Sequence, residues 1–344
     1  MNRSEVKSAP FVHDAETAWN LHIDLLIGLL AVMVISVVQN GFRVLAICLL
    51  TAFAAWLTDT IGLLLLRRFG GTDLRSLGMG LTIALLCPVT VPLWVPVSAA
   101  VISVSFVRVL LPNQYKTLFM TPVFAWLYML SVAPSSMTTF PAVRFFGAFP
   151  LLESVGDFLA TKSIAGQLQA HRMPSYTIME IMTGNYPGGM GTTCIFVILC
   201  VCAYFIFRKS MAWQVSLSMI VTVAVFGLLF PRAGDDRLFS MLYELTATSY
   251  IFAAVYIAGD LINAPSIPQA RIVYGVLIGV FTMIFRYFGL AEHCVALAMF
   301  IVYLGQELLD LIALKFKLRR IRRLRQKLFQ EKIAIVCFCA TASY

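Results

Sequence analysis

Long apolar segments follow one another along almost the whole chain, and this feature limits the fold more than any other. Each is long enough to cross, or half cross, the hydrocarbon core of a bilayer as a helix. They lie near residues 23–40, 43–66, 76–92, 95–111, 118–132, 193–207, 211–230, 238–258, 272–289 and 291–313. Only 12% of the residues are charged, about half the fraction of a typical soluble domain. The sequence therefore predicts an all-α integral membrane protein with about ten transmembrane helices.

The positions of lysine and arginine predict how these helices are oriented. Basic residues follow the second, fourth, sixth and eighth segments, and nine of the 26 fall within 315–332. Because short cytoplasmic loops are enriched in Lys and Arg, we predict a multi-pass protein of the inner (plasma) membrane with both termini in the cytoplasm. The basic cluster explains much of the net charge of +9 and suits anionic lipid headgroups. Membrane lipid is thus a predicted partner and nucleic acid is not, although a protein-docking or RNA-binding tail is the alternative.

A long, moderately polar connection divides the chain into two groups of five helices. We predict a cytoplasmic N-terminal segment (1–22), a first membrane repeat (23–132), an extracytoplasmic loop (133–192), a second membrane repeat (193–313) and a basic cytoplasmic tail (314–344). An odd number of crossings per half makes the two halves enter the membrane from opposite sides. This is the arrangement of an inverted repeat.

The third predicted helix of each half ends in a segment interrupted by prolines. These are Pro88 and Pro92 in the first half, and Pro265 and Pro268 in the second. Broken helices at matching positions indicate a central binding site, because their freed backbone groups need partners; the alternative is an ordinary proline-terminated helix end. Asp260 precedes the second break and could take up a proton or a cation there.

Other acidic residues near apolar segments carry the same functional interpretation, with the headgroup zone as the alternative location for those at helix ends. They are Asp24, Asp59, Glu244, Glu292, Glu307 and Asp310. Arg286 is expected either to pair with Glu292 or to extend toward the membrane surface. The sequence has no phosphate-binding loop, nucleophile elbow or kinase motif, and its cysteines and histidines lack metal-ligand spacing. We therefore predict no catalytic residue and no metal site.

A glycine-rich stretch, GNYPGGMGTT (184–193), precedes the sixth helix. Such a turn can direct backbone N–H groups at an anion, although most glycine and proline clusters at helix starts are simple turns.

Three motifs in this order resemble one family of membrane proteins. They are SLGMGLTIALLCPVTVPLW (76–94), GNYPGGMGTT (184–193) and RIVYGVLIGVFTMIFRYFGLAEHCVALAMFIVYLGQELLD (271–310). The chain resembles the D subunit (RnfD) of the Rnf electron-transport complex and its relative, the B subunit (NqrB) of the sodium-pumping NADH:quinone oxidoreductase. The resemblance implies a ten-helix inverted repeat that works with other subunits of an Rnf-type complex. In that complex flavins relay electrons, and redox chemistry is coupled to sodium or proton movement.

The resemblance also implies cofactors. One FMN is joined by a phosphoester to a threonine just before the glycine-rich turn, and a second flavin is held without a covalent bond. On this sequence the threonine corresponds to Thr177, the phosphate-contacting turn to Gly188, Gly189, Gly191 and Thr193, and the central site to Asp260 and the proline breaks.

Several positions depart from the family pattern around Thr177. His171 stands where an acidic residue is expected, and Pro174, Ser175 and Tyr176 replace small residues. Three interpretations therefore stay open: a flavin-bearing electron-transport subunit, a small-solute transporter or channel with the same fold, and a flavin-free scaffold subunit. The first is our leading hypothesis.

Overall fold

A computed structural model of the chain describes residues 18–65, 74–110, 120–141, 160–161, 163–232 and 236–319. Most of the predicted N-terminal segment, the middle of the predicted outer loop and the basic tail beyond residue 319 lie outside the described residues.

Among the described residues, the first half of the bundle contains five helices. These are α1 (Ala18–Asn40), α2 (Phe42–Leu65), α3 (Leu74–Leu86), α4 (Trp94–Val104) and α5 (Thr121–Val132); α4 continues as a π-helical turn over Ser105–Leu110. Gly41 adopts φ +81° between α1 and α2, a conformation that glycine takes without steric cost. Pro88 has no backbone N–H to continue a helix, and α3 ends two residues before it.

The described part of the predicted outer loop is ordered against the bundle. It contains α6 (Pro134–Thr138), a short antiparallel pair of β1 (Phe140–Pro141) with β2 (Ala160–Thr161), α7 (Ile164–Gln169) and α8 (Ile178–Thr183). Its apolar side chains form a small core of their own, in which Ile164, Leu168 and Ile181 pack with Tyr243 of the second half. The loop is therefore anchored to the second half of the bundle.

The second half of the chain is more interrupted than its sequence predicts. Its helices are α9 (Ile195–Arg208), α10 (Trp213–Leu229), α11 (Arg237–Thr246), α12 (Tyr250–Phe252, continuing as a π-helical turn Ala253–Ile257), α13 (Pro268–Tyr287), α14 (Cys294–Leu304) and α15 (Gln306–Arg319). The predicted helix 238–258 is broken at Ala247–Ser249, and the predicted helix 291–313 is bent by 51° at Gly305.

Helix length and composition confirm a multi-pass, all-α membrane protein. Among the described residues, four helical segments are long and apolar enough to span a membrane, or up to five if α14 and α15 form one bent span. Further apolar helices, such as α9 and α10, are shorter. Large apolar side chains such as Phe207 and Leu64 stay exposed, as expected of surfaces that lipid covers.

The two halves also pack in a matching order. In the first half α2 contacts α3 and α4, and in the second half α10 contacts α11 and α13. An inverted repeat predicts this order, and the five-plus-five repeat itself stays a prediction.

Candidate functional site

Thr177 begins the short helix α8 in the described part of the predicted outer loop (133–141, 160–161 and 163–192), here called the outer segment. Its Oγ1 accepts a hydrogen bond from the Glu180 N–H at 3.4 Å and donates one to Glu180 Oε2 at 2.9 Å. The same carboxylate accepts the Thr177 N–H at 2.8 Å, which completes a capping box. The Thr177 N–H and then its hydroxyl lower the pKa of Glu180 below its usual value. The Thr177 side chain is exposed, so its hydroxyl is open to solvent while it caps the helix.

The glycine-rich turn packs directly on the end of α3. The Met190 N–H donates to the Cys87 carbonyl and the Gly191 N–H to the Leu85 carbonyl, both at 2.8 Å. A Cβ added to Gly189 would lie 2.8 Å from the Leu86 carbonyl oxygen, so only glycine fits there. Two N–H groups of the turn thus satisfy carbonyls that a helix end leaves without partners. Thr193 is buried and donates to Gln39 of α1 at 3.4 Å.

A cavity, here called the outer cavity, lies beside this turn. The first half contributes Leu86 and Trp126 to its wall, and the outer segment contributes Ser163, Gly188, Gly189 and Thr192. The second half contributes the break after α11, with Thr246, Thr248 and Ser249, and the loop residue Glu292. The cavity thus joins both halves of the bundle to the outer segment.

The break after α11 has an unusual backbone. Thr248 and Ser249 adopt φ +58° and +57°, a left-handed conformation that is costly for residues with a Cβ. Thr248 Oγ1 donates to the Ala291 carbonyl at 3.0 Å. The sequence around the break, Thr-Ala-Thr-Ser, contains neither proline nor glycine, so sequence reasoning missed it.

A buried charge cluster holds the break in place. Arg286 Nη1 donates to Glu244 Oε2 at 2.8 Å and to the Glu244 carbonyl at 2.6 Å, and its Nη2 donates to the Ala247 carbonyl at 3.0 Å. Arg232 binds the same carboxylate with Nε at 2.5 Å and Nη2 at 2.9 Å. Arg286 and Glu244 are each 1% exposed. The expected pairing of Arg286 with Glu292 is wrong, because its direct partner is Glu244.

Glu292 ties the outer segment to the loop between α13 and α14. Its Oε1 accepts a short hydrogen bond from Ser163 Oγ. Burial raises the pKa of the Glu292 carboxyl above its usual value, while the Ser163 bond and the positive charge of Arg286 act in the opposite direction. The outer segment is held further by Gln169 Nε2, which donates to the Gly289 carbonyl at 2.6 Å.

The second proline break lies at the other end of α13, which has 20 residues and is therefore about 30 Å long. Asp260 Oδ2 accepts from Asn263 Nδ2 at 2.7 Å, and Asp260 Oδ1 accepts the Ile262 N–H at 3.1 Å. The Pro265 carbonyl accepts from Arg271 Nε at 2.8 Å, and Pro268 is the first residue of α13. Asp260 therefore orders the irregular segment that contains it.

A second cavity, here called the inner cavity, opens beside Asp260. Its polar wall includes His22 of α1, Arg75 and Thr82 of α3, and Asn263 of the break, and Tyr256 contributes an aromatic ring. Arg75 Nη2 donates to Asn263 Oδ1 at 3.1 Å. This contact brings the first half of the bundle to the break of the second half.

The structure divides the predicted site residues between the two ends of the bundle. Gly188 and Gly189 line the outer cavity and Asp260 lines the inner one. Thr177, Gly191, Thr193 and the four prolines are not among the residues lining either cavity. The Val91 carbonyl, next to Pro92, accepts from Arg43 Nη2 at 3.3 Å. Sequence reasoning missed Ser163, Thr248 and Ser249, since no local pattern marks them.

Comparison with known proteins identifies the family of this chain. A sequence model of the NQR2, RnfD, RnfE family matches residues 5–317. The chain belongs to this family. Because the match covers nearly the whole chain, the family assignment includes both halves of the bundle and the outer segment.

Individual relatives share little sequence identity with the chain, although two of them align with most of its length. The chain is 23% identical over 337 residues to the D subunit of an ion-translocating oxidoreductase complex from Actinobacillus succinogenes, covering 89% of this chain and 95% of the relative. It is 22% identical over 294 residues to the D subunit of a Na(+)-translocating ferredoxin:NAD(+) oxidoreductase complex from Acetobacterium woodii, covering 84% and 87%. The B subunit of a Na(+)-translocating NADH-quinone reductase from Chromohalobacter salexigens is 27% identical over 116 residues, 33% of this chain and 28% of the relative.

Proposed function

We propose that the chain is a membrane subunit of an Rnf-type, ion-translocating oxidoreductase complex, in which it binds flavin and relays electrons. The similarity to the D subunits of such complexes along nearly the whole chain carries this proposal. The other subunits of the complex would be its protein partners. With its flavin the chain would act as one part of a membrane oxidoreductase, and it would not act alone.

FMN esterified to Thr177 is the first cofactor in this proposal. The exposed hydroxyl of Thr177 leaves room for a bulky group. An ester would end the donation from Oγ1 to Glu180, so the Glu180 carboxylate would have to turn away. The flavin ring supplies the electron chemistry, and the chain's own residues position it and exclude water.

The inner cavity is the proposed site of the second, non-covalent flavin. Its wall combines Tyr256 with Arg75, Asn263 and Asp260. This mixture of apolar surface and a few directed polar groups matches the chemistry of a flat heterocycle with polar edges. The cavity, of about 40 Å³, would have to widen to admit the ring.

In-gel fluorescence tests the flavin assignment at Thr177. Purified wild-type protein should fluoresce under ultraviolet light on a denaturing gel, and Thr177→Ala should not. Thr177→Asn is the sharper variant, because asparagine keeps an N-cap acceptor but cannot form a phosphoester. Thr183→Ala, at the other end of α8, should keep the fluorescence.

Acid precipitation separates the two cofactors, since it releases only flavin that is not covalently bound. We expect released flavin from the wild type and from Thr177→Asn alike. Fluorescence that persists in Thr177→Asn would place the anchor elsewhere, and a protein without any flavin would remove the redox role.

The second candidate function is passage of a small solute through the same bundle with no redox role. The positions of the two cavities, at helix breaks on opposite ends of α13, favour it. A flavin-free protein that moves a solute across liposome membranes would support this function over the first.

A further inference from the structure

We propose that three buried sulfur atoms in the first half of the bundle bind a soft metal ion, Cu(I). They belong to Cys48 of α2, Cys87 directly after α3 and Met129 of α5. The inference goes beyond the proposed function and does not rest on it. The sequence predicts no metal site, because these residues come from three separate elements and show no ligand spacing along the chain.

The three sulfur atoms lie close together. Cys87 Sγ is 3.2 Å from Met129 Sδ, and the thiols of Cys87 and Cys48 are near enough to interact electrostatically. All three side chains are fully buried, and both cysteines are free thiols. The fold thus brings two thiols and a thioether together in an apolar interior.

This set of ligands selects the class of metal. Soft thiolate and thioether groups prefer Cu(I), whereas hard cations take oxygen ligands. A structural Zn²⁺ site needs four ligands in a tetrahedron, and among the described residues no group of three or more His, Cys, Asp and Glu side chains could hold a metal ion. The thioether of Met129 lies outside that group of residue types, and it is a ligand that Cu(I) accepts.

The charge balance also favours Cu(I) over a divalent ion. The thiolate is the form of cysteine that binds metal, so the S–H bond of Cys87 breaks as its sulfur–metal bond forms, and the proton passes to solvent. The single positive charge of Cu(I) and the thiolate then cancel, and the metal keeps its oxidation state. Cys48 and Met129 complete the site as neutral sulfur ligands. A divalent ion with one thiolate would leave a net charge in an apolar interior, which is costly.

Hydrogen bonds fix the backbone around the site. The Cys87 N–H donates to the Ala84 carbonyl at 3.1 Å, and the Cys87 carbonyl accepts the Met190 N–H at 2.8 Å. The Cys48 carbonyl accepts from Thr51 Oγ1 at 3.1 Å. Metal–sulfur bonds of about 2.3 Å in a trigonal site set the sulfur atoms about 4 Å apart. The 3.2 Å contact must therefore open slightly, which the flexible methionine side chain allows.

The outer cavity provides a route to the site. Leu86, next to Cys87, lines that cavity, and so does Trp126, one turn before Met129 on α5. The thioether side chain of Met137 is a further part of the wall. The ion would lie behind this wall among the sulfur atoms, and the oxygen atoms of the cavity would take no part in binding it.

Competition with a coloured Cu(I) chelator tests the site. The two Cys-x-Cys pairs, which could compete for the metal, are first replaced by serine; they are Cys200 with Cys202 and Cys337 with Cys339. The purified full-length protein is then added, under nitrogen and with ascorbate, to the Cu(I) complex of bicinchoninate. We expect the colour to fade as Cu(I) moves to the protein. The melting temperature should rise as well, because a ligand that binds only the folded state stabilises it.

Variants connect the uptake to the three sulfur atoms. Met129→Leu removes the thioether but keeps the size and apolar character of the side chain, so its melting temperature without metal should be unchanged. It should weaken Cu(I) binding by at least about tenfold, a loss that is usual even for groups behind a metal ligand. Cys87→Ala should weaken binding further. Met299→Leu changes an equally buried methionine on α14 and should leave binding unchanged.

X-ray absorption at the copper edge identifies the ligands directly. We expect only sulfur neighbours around the metal in the loaded protein. Oxygen or nitrogen neighbours, full Cu(I) uptake by Cys87→Ala, or equal weakening by Met129→Leu and Met299→Leu would each overturn the inference. Protein that takes no Cu(I) from the chelator would show that the three sulfur atoms serve only to pack the helices.

Discussion

At the scale of single residues, the cluster of Arg232, Glu244 and Arg286 brings three charged groups into the interior of the bundle. Each charge loses most of its hydration, and the cost is acceptable only while every charge has partners. Glu244 supplies both carboxylate oxygens and its backbone carbonyl. The rings of Tyr287 and Tyr250 lie 5.8 and 5.5 Å from the guanidinium carbons of Arg232 and Arg286, adding cation–π attraction.

Removing the shared carboxylate should therefore strongly destabilise the folded protein. We expect Glu244→Ala to lower the free energy of unfolding by about 3–5 kcal/mol, because it removes the carboxylate that two buried guanidinium groups share. Unfolding by denaturing detergent, followed by circular dichroism, measures the loss. Asp236→Ala removes an exposed carboxylate from the same region and should change the value by less than about 0.5 kcal/mol. Equal effects of the two variants would show that the cluster is solvated.

At the scale of elements, close helix packing and helix breaks occur side by side. α13 approaches α10 through Gly275 and Gly279, one turn apart, where added Cβ atoms would lie 2.0 Å from Ser218 Oγ and 2.7 Å from Thr222 Cβ. Small residues at such spacing let membrane helices approach closely. Because α13 is held so firmly along α10, its two ends can position the inner break and the charge cluster at fixed places.

The helix contact is testable with a single methyl group. Gly275→Ala should destabilise the protein by about 1–3 kcal/mol, since the added carbon overlaps Ser218 and the Val215 carbonyl and forces the helices apart. Gly305→Ala is the matched control, because its nearest heavy atom would be 3.5 Å away. Unfolding both variants in denaturing detergent measures their loss of stability relative to the wild type. If Gly305→Ala proves the more harmful change, the described α10–α13 contact is wrong.

At the scale of the whole molecule, the inner and outer cavities lie at opposite ends of the described part of the bundle, each with polar groups in its wall. The outer one includes the ordered outer segment and the break after α11, and the inner one includes α1, α3 and the break before α13. The site proposed for the second flavin therefore lies at the end of the bundle opposite the segment that carries Thr177. This arrangement depends on the outer segment and the C-terminal tail lying on opposite sides of the membrane, which stays a prediction.

Cysteine labelling tests that orientation. Ser175→Cys on the outer segment and Arg319→Cys at the end of α15 are both exposed positions, and each is introduced into a variant whose native cysteines are replaced. A membrane-impermeant maleimide added to sealed, right-side-out membranes should label residue 175 and not residue 319. Detergent should make both positions reactive. Labelling of both before detergent would place them in one compartment and remove the predicted topology.

The sequence by itself determined the membrane class, the positions of most helices, the proline breaks and the family resemblance that the comparison confirmed. These properties are local: the hydrophobicity of a segment and the missing N–H of Pro88 act where they stand in the chain. The resemblance likewise rests on three contiguous motifs.

Only the tertiary structure decided which polar and charged groups bind one another. Arg286 binds Glu244, 42 residues away. The glycine-rich turn donates two N–H groups to carbonyls at the end of α3. Thr248 and Ser249 break a helix whose sequence has neither proline nor glycine at that point. Each of these depends on which helices become neighbours, and a buried polar group must find its partner wherever the fold places one. Local patterning carries no information about that choice.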